Sequence, residues 1–79
     1  MEILYSRTAI KSIEVLDPMI KKRVKAAIEL LPSGDVKKLQ GEKNRYRLRV
    51  GTYRVLYYMD ADVIKIDKVL PRGEVYKRL

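Results

Sequence analysis

Arg45-Tyr46-Arg47-Leu48-Arg49-Val50-Gly51-Thr52-Tyr53-Arg54-Val55-Leu56-Tyr57-Tyr58-Met59 alternates charged and apolar side chains before Gly51-Thr52 and continues rich in Tyr and Val after it. A period of two is the signature of a strand buried on one face, and a glycine-led pair between two such runs is a hairpin turn. A two-residue turn sets Arg49 opposite Arg54, Arg47 opposite Leu56 and Arg45 opposite Tyr58. Those six side chains share one face. Tyr46, Leu48, Val50, Tyr53, Val55, Tyr57 and Met59 share the other, which is apolar enough to pack against helices. Four arginines therefore fall on a face left open. Arg49 and Arg54, like charges directly opposed, disfavour pairing by up to roughly 1 kcal/mol, so an anion is expected between them.

Downstream, Asp60-Ala61-Asp62 is a second turn and Val63 to Leu70 a third strand. A two-residue Ala61-Asp62 turn places Ile64 and Ile66 with the apolar face and Lys65, Asp67 and Val69 beside Arg54; a three-residue turn would reverse the faces and expose both isoleucines. Pro71, Arg72 and Gly73 break the strand. Upstream, Pro32-Ser33-Gly34-Asp35 is a loop by composition, and before it the period is helical. Ile20, Val24, Ala27, Ile28 and Leu31 form one stripe opposite Lys21, Lys22, Arg23 and Lys25, with Asp17 suited to cap and Pro18 to the first helical position. Ala9, Ile10, Ile13 and Leu16 make an earlier helix that Ser6 or Thr8 can cap, after a short strand at Ile3-Leu4-Tyr5. The expected fold class is α+β: an N-terminal strand, a helical hairpin, then an antiparallel β-meander with the helices packed on one face. At 79 residues the chain supports one core, so residues 1–79 are read as a single domain.

Eighteen Lys and Arg against ten Asp and Glu give a net charge of +8. The excess is concentrated: residues 36–58 hold seven basic side chains and one acid, Glu42, whereas the segments on either side are nearly balanced. A segregated positive field favours polyanions, nucleic acid first. No apolar run approaches the length of a membrane span, and the amino terminus runs straight into charged sequence, so a cytoplasmic protein without a membrane partner is expected.

Cysteine and histidine are both absent, which removes disulfides, thiolate or His metal clusters, cysteine nucleophiles and histidine acid–base pairs. Neither a phosphate-cradling glycine loop nor a dinucleotide fingerprint is present, and no cofactor is expected. Tyr, Lys, Arg and carboxylates can still cleave RNA, whose 2'-hydroxyl is an internal nucleophile. Arginines would hold the phosphate and stabilise its developing charge, and Tyr or Lys could move protons. Tyr58 on the open face and Tyr76 near the terminus are the tyrosines best placed for this, with Arg45, Arg47, Arg49, Lys43 and Tyr58 as RNA-binding candidates.

Lys38-Leu39-Gln40-Gly41, the stretch Tyr46 to Tyr57 quoted above, and Pro71-Arg72-Gly73-Glu74-Val75-Tyr76 together resemble the RelE/ParE toxin superfamily over essentially the whole chain. The resemblance implies a type II toxin that cuts mRNA in the ribosomal A site without metal and is held inactive by an acidic, RelB-like antitoxin. By position it implies phosphate-stabilising roles for Arg54 and Arg72 and proton transfer or base stacking for Tyr76. The basic pair before the turn falls on Arg45 and Arg47. Pro71 and Gly73 flank a lone Arg72 where many relatives carry several basic residues, which leaves a catalytically weakened RNA-binding relative as one alternative. The ParE branch, which targets DNA gyrase on the same fold, is the other.

Overall fold

The computed structural model describes residues 1–71. Its elements are β1 (Glu2–Tyr5), α1 (Arg7–Glu14), α2 (Pro18–Glu29), β2 (Val36–Lys38), β3 (Arg45–Val50), β4 (Tyr53–Asp60) and β5 (Val63–Pro71). They form one five-stranded sheet in the order β1-β5-β4-β3-β2. Both helices pack on one face of it, α1 over β5 and α2 over β3.

Local chemistry sets the helix boundaries as expected. The Ser6 hydroxyl accepts from the Ala9 amide at 2.9 Å and caps α1. Asp17 accepts from the Met19 amide at 3.0 Å and Pro18 occupies the first turn of α2. Each cap satisfies an amide that the helix leaves unpaired, a contribution of about 1 kcal/mol. The helical stripes supply Ala9, Ile13, Val24, Ile28 and Leu31 to a core completed by Leu48, Val55, Tyr57, Ile64, Ile66 and Val69 from the sheet. Each large side chain buried there contributes about 1.5–3 kcal/mol. Ile10 is the exception on α1, almost half exposed rather than packed. None of the helices is long and apolar enough to cross a membrane, among the described residues.

The β3–β4 hairpin has the expected register, with Val50 opposite Tyr53, Arg49 opposite Arg54, Arg47 opposite Leu56 and Arg45 opposite Tyr58. Gly51 makes it possible with φ of 59°, a left-handed value that a primed hairpin turn demands at its first position. The β4–β5 hairpin begins as expected too, with Asp60 opposite Val63 and Met59 opposite Ile64.

Three features depart from the sequence reading. The sheet is mixed: β1 pairs in parallel with β5, Leu4 opposite Lys65, so the first strand flanks the last. A further short strand, β2, adds to β3 with Val36 opposite Leu48 and Lys37 opposite Arg47. Finally, β5 carries an irregularity at the step from Leu56 to Tyr57: Tyr57 opposes Ile66 but Leu56 opposes Lys68, leaving Asp67 as an extra residue. The bulge shifts the face of everything after it. Val69, expected beside Arg54, instead lies opposite Val55 and is buried in the core, while Leu70 lies opposite Arg54.

Candidate nucleic-acid interface

The face of the sheet away from the helices is organised by register into rows. One row runs Arg49, Arg54, Leu70; the next runs Lys37, Arg47, Leu56, Lys68; a third runs Arg45, Tyr58, Lys65, Leu4. Alternate positions on a strand stand about 7 Å apart, so β3 presents three guanidinium groups in file.

Three carboxylates neutralise that file, Glu42 from within the basic segment and Asp35 and Asp67 from outside it. Arg45 places Nη1 3.1 Å from Glu42 Oε2 and Nη2 3.1 Å from Asp67 Oδ2, donates through Nη1 to the Tyr58 hydroxyl, and sets its guanidinium carbon 4.9 Å from the centre of the Tyr58 ring. Tyr58 is thereby fixed as one wall of a cation–π pair. Asp35 serves the other two arginines, with Oδ1 3.6 Å from Arg47 Nη1 and Oδ2 3.9 Å from Arg49 Nε. Its carbonyl accepts from the Arg49 amide at 2.9 Å, which keeps the carboxylate beside β3. The exposed sites differ in freedom: the Arg45 and Arg47 side chains are each 13% exposed and that of Arg49 is 54% exposed. Lys43 is exposed in the loop before β3.

Arg54 overturns one expectation. It lies on the open face by register, yet it is only 3% exposed and is the one buried charged residue among those described. Its Nη1 donates to the carbonyls of Gly51 at 3.3 Å and Tyr53 at 3.0 Å, and its Nε has no partner among the described residues. A guanidinium cannot shed its proton to escape burial, so one that meets no carboxylate among the described residues is suited to an anion. Asp67 is not beside Arg54, as the uninterrupted register implied, but on Arg45, because the bulge redirects it.

The structure thus brings Arg45, Arg47, Arg49 and Tyr58 together, with Arg54 sunk beneath the same face and Lys43 at its margin. Arg72 and Tyr76 lie outside the described residues. The acid Asp35 is absent from the sequence-derived site because it falls in a segment whose own charges balance, and the sequence places Asp67 on the open face but against Arg54; only the strand pairing reveals which arginines they reach.

Elsewhere, Tyr57 directs its hydroxyl into the core without a partner among the described residues, and its ring stacks on Tyr46 with centroids 5.5 Å apart. Burial pushes its phenol up to about 12, with the neighbouring Tyr46 adding to the shift.

Residues 3–76 match the family of ParE toxins of the type II toxin-antitoxin system parDE. The toxin RelE3 of Methanocaldococcus jannaschii is 33% identical, with 96% of each chain covered. Among solved structures, the RelB-RelE antitoxin-toxin complex from Methanococcus jannaschii superposes with a TM-score of 0.81 at 32% identity, over 96% of this chain and 98% of that one. The archaeal RelE-RelB complex from Pyrococcus horikoshii gives 0.77 at 30% identity, over 91% and 94%.

Proposed function

This chain belongs to the RelE/ParE superfamily of type II toxins, and we propose that it is a ribosome-dependent endoribonuclease cleaving mRNA by attack of the 2'-hydroxyl on the adjacent phosphate. The observation that carries the reading is the Arg49–Arg54 pair, directly opposed across β3 and β4, with Arg54 buried and without a carboxylate partner among the described residues. A phosphate between them would relieve both the repulsion and the burial.

In this mechanism the RNA supplies the nucleophile. The 2'-oxygen bonds to phosphorus, the 5'-oxygen of the next nucleotide leaves, and the products are a 2',3'-cyclic phosphate and a 5'-hydroxyl end. Arg54 stabilises the extra negative charge of the transition state from within the sheet, where low polarity strengthens its field. Arg45, Arg47, Arg49 and Lys43 hold the flanking phosphates, and Tyr58 offers a ring to an unstacked base. Arg72 and Tyr76 take the roles the resemblance gives them, as second phosphate cation and as proton-transfer or stacking group. The ribosome supplies the extended mRNA strand. The partner that silences the toxin is an acidic RelB-like antitoxin, as RelB accompanies RelE in the archaeal complexes.

The test is a translating extract: the protein should cut mRNA only when ribosomes engage it. Cleavage of naked RNA at an equal rate would contradict ribosome dependence. The second reading is ParE-like inhibition of gyrase, which the carboxylate pairing of Arg45, Arg47 and Arg49 favours, since such a face also suits protein recognition. DNA breakage that requires gyrase, with mRNA left intact, would establish it.

A further inference from the structure

Beside Arg45 the open face sinks into a hollow of about 730 Å³ lined by Leu4, Lys43, Asn44, Tyr58, Val63 and Lys65, with Asp60 and Ala61 at one end. A smaller recess of about 280 Å³ adjoins it and shares Leu4, Tyr58 and Lys65. None of Leu4, Val63 or Lys65 has a role in the reading above. The hollow is a product of the parallel pairing of β1 with β5, which sets Leu4 opposite Lys65 and so beside Tyr58.

Its chemistry is mixed in a particular way. The floor is apolar and aromatic: Leu4 is 42% exposed and Tyr58 presents a ring held in place by Arg45. The rim is cationic. Lys43 and Lys65 are exposed and neither has a carboxylate partner among the described residues, whereas the neighbouring Arg45 has two. Asn44 adopts a left-handed backbone with φ of 63°, and its carbonyl accepts from the Met59 amide at 2.9 Å, which fixes the Lys43 loop against the end of β4. An apolar and aromatic floor with two exposed lysines at its rim matches an unstacked base whose phosphate is attached. The volume falls within the range of small-ligand sites, roughly 300–1,000 Å³. Asp60 on the rim can only accept hydrogen bonds, which suits a donor on a base edge, the exocyclic amino group of adenine, guanine or cytosine or the imino N–H of uracil or guanine.

We infer that this hollow is a nucleotide subsite, taking one base of single-stranded RNA on Leu4 and Tyr58 with its phosphate between Lys43 and Lys65. The inference rests on the RNA-cleaving reading and extends it: the strand crosses the sheet from the Arg49–Arg54 pair, along Arg47 and Arg45, and ends with a base in the hollow. That base lies away from the scissile phosphate, so the subsite sets which sequences are cut rather than how fast the bond breaks.

The experiment measures binding of a hexanucleotide RNA and of six derivatives, each abasic at one position, to the full-length protein. For the wild type, one abasic position should weaken binding by about 10-fold or more, the scale of base–aromatic stacking, and the others by much less. In Tyr58→Ala and in Leu4→Glu that same position should become indifferent. Because Leu4 is exposed, the second variant keeps a folded protein available if the first does not fold, with circular dichroism checking both. Equal loss at every position, or a position that stays sensitive in both variants, overturns the subsite while leaving RNA cleavage intact. Failure of the wild type to bind any of the hexamers overturns the subsite, whereas the RNA-cleaving reading stands or falls with cleavage of ribosome-bound mRNA in the translating extract. Release of a RelB-like antitoxin by Leu4→Glu, with the abasic profile unchanged, would assign the hollow to a protein partner instead and likewise overturn the inference.

Discussion

Tyr57 and Tyr58 are neighbours in β4, yet one is fully buried beneath the helices and the other stands on the open face under a guanidinium. The two faces of the sheet are as different as these two residues. The covered face is close-packed and nearly free of charge, and its one misfit is a phenol hydroxyl without a partner among the described residues. The open face is a file of arginines neutralised by acids drawn from three separate segments. Stability belongs to the first and recognition to the second, so substitutions should sort by face even when they fall on adjacent residues. Arg54 is the intersection, open by register and buried by accessibility.

The largest effect should come from the covered face. Ile28→Ala removes a fully buried side chain from α2 and should cost about 2–5 kcal/mol in chemical denaturation, with cleavage per folded molecule unchanged. A loss below about 1 kcal/mol would mean that the helical layer does not carry the core.

Arg54 comes next, and it tests whether the two faces truly divide the labour. Arg54→Ala should reduce cleavage of ribosome-bound mRNA on the order of 100-fold, as loss of a transition-state charge partner does. Because Arg54 is buried, the same substitution should also lower stability. Arg54→Met keeps most of the apolar stem and removes the charge, so it should recover part of the stability and none of the cleavage. Normal cleavage by a folded Arg54→Met protein would move Arg54 wholly to the structural side.

Much of this was legible in the chain. The hairpin register, both helix caps and the inward set of Ile64 and Ile66 follow from period, cap chemistry and turn length, all of which are local. What was not legible depends on distant segments meeting. Parallel pairing of β1 with β5 has no local turn to announce it, and β2 has only three residues over which to show a period. The bulge at Asp67 inserts one residue into a run that reads as uninterrupted, and so misplaces Val69 by one face. Charge counted along the chain found the arginines but not Asp35 and Asp67, which reach them only through the folded sheet.

Tyr57 gives a smaller effect of opposite sign. Tyr57→Phe keeps the ring stacked on Tyr46 and removes a buried hydroxyl that has no partner among the described residues, so it should stabilise the protein by about 1 kcal/mol. The pH dependence checks the same group. Its phenol is raised to about 12 in the folded state against an ordinary value near 10, so the fold binds its proton more tightly than the unfolded chain does. The resulting stability is complete below about pH 10 and is lost as pH rises toward 12. Wild type should therefore lose more stability across that window than Tyr57→Phe; parallel curves would show that the hydroxyl is solvated.

The smallest expected effect concerns the acids that hold the open face in check. Asp35 is 57% exposed and lies 3.6 Å from Arg47 and 3.9 Å from Arg49, so its ion pairs are well solvated and should contribute under about 0.5 kcal/mol to folding. Asp35→Asn should leave the denaturation midpoint almost unmoved. Its effect on RNA should be visible, because a phosphate approaching the two arginines meets a fixed negative charge that the variant lacks. At contact distance in water that repulsion is about 1 kcal/mol, or roughly a fivefold gain in affinity for single-stranded RNA at low salt. The gain should fade in about 1 M salt, where the screening length falls to about 3 Å. The complementary change, Arg47→Ala or Arg49→Ala, should reduce the log-log slope of affinity against salt by about 0.7, the release of one counterion contact. If Asp35→Asn binds RNA no better at low salt while Arg49→Ala leaves the slope unchanged, the paired arginines of β3 do not meet phosphate, and the open face serves a protein partner instead.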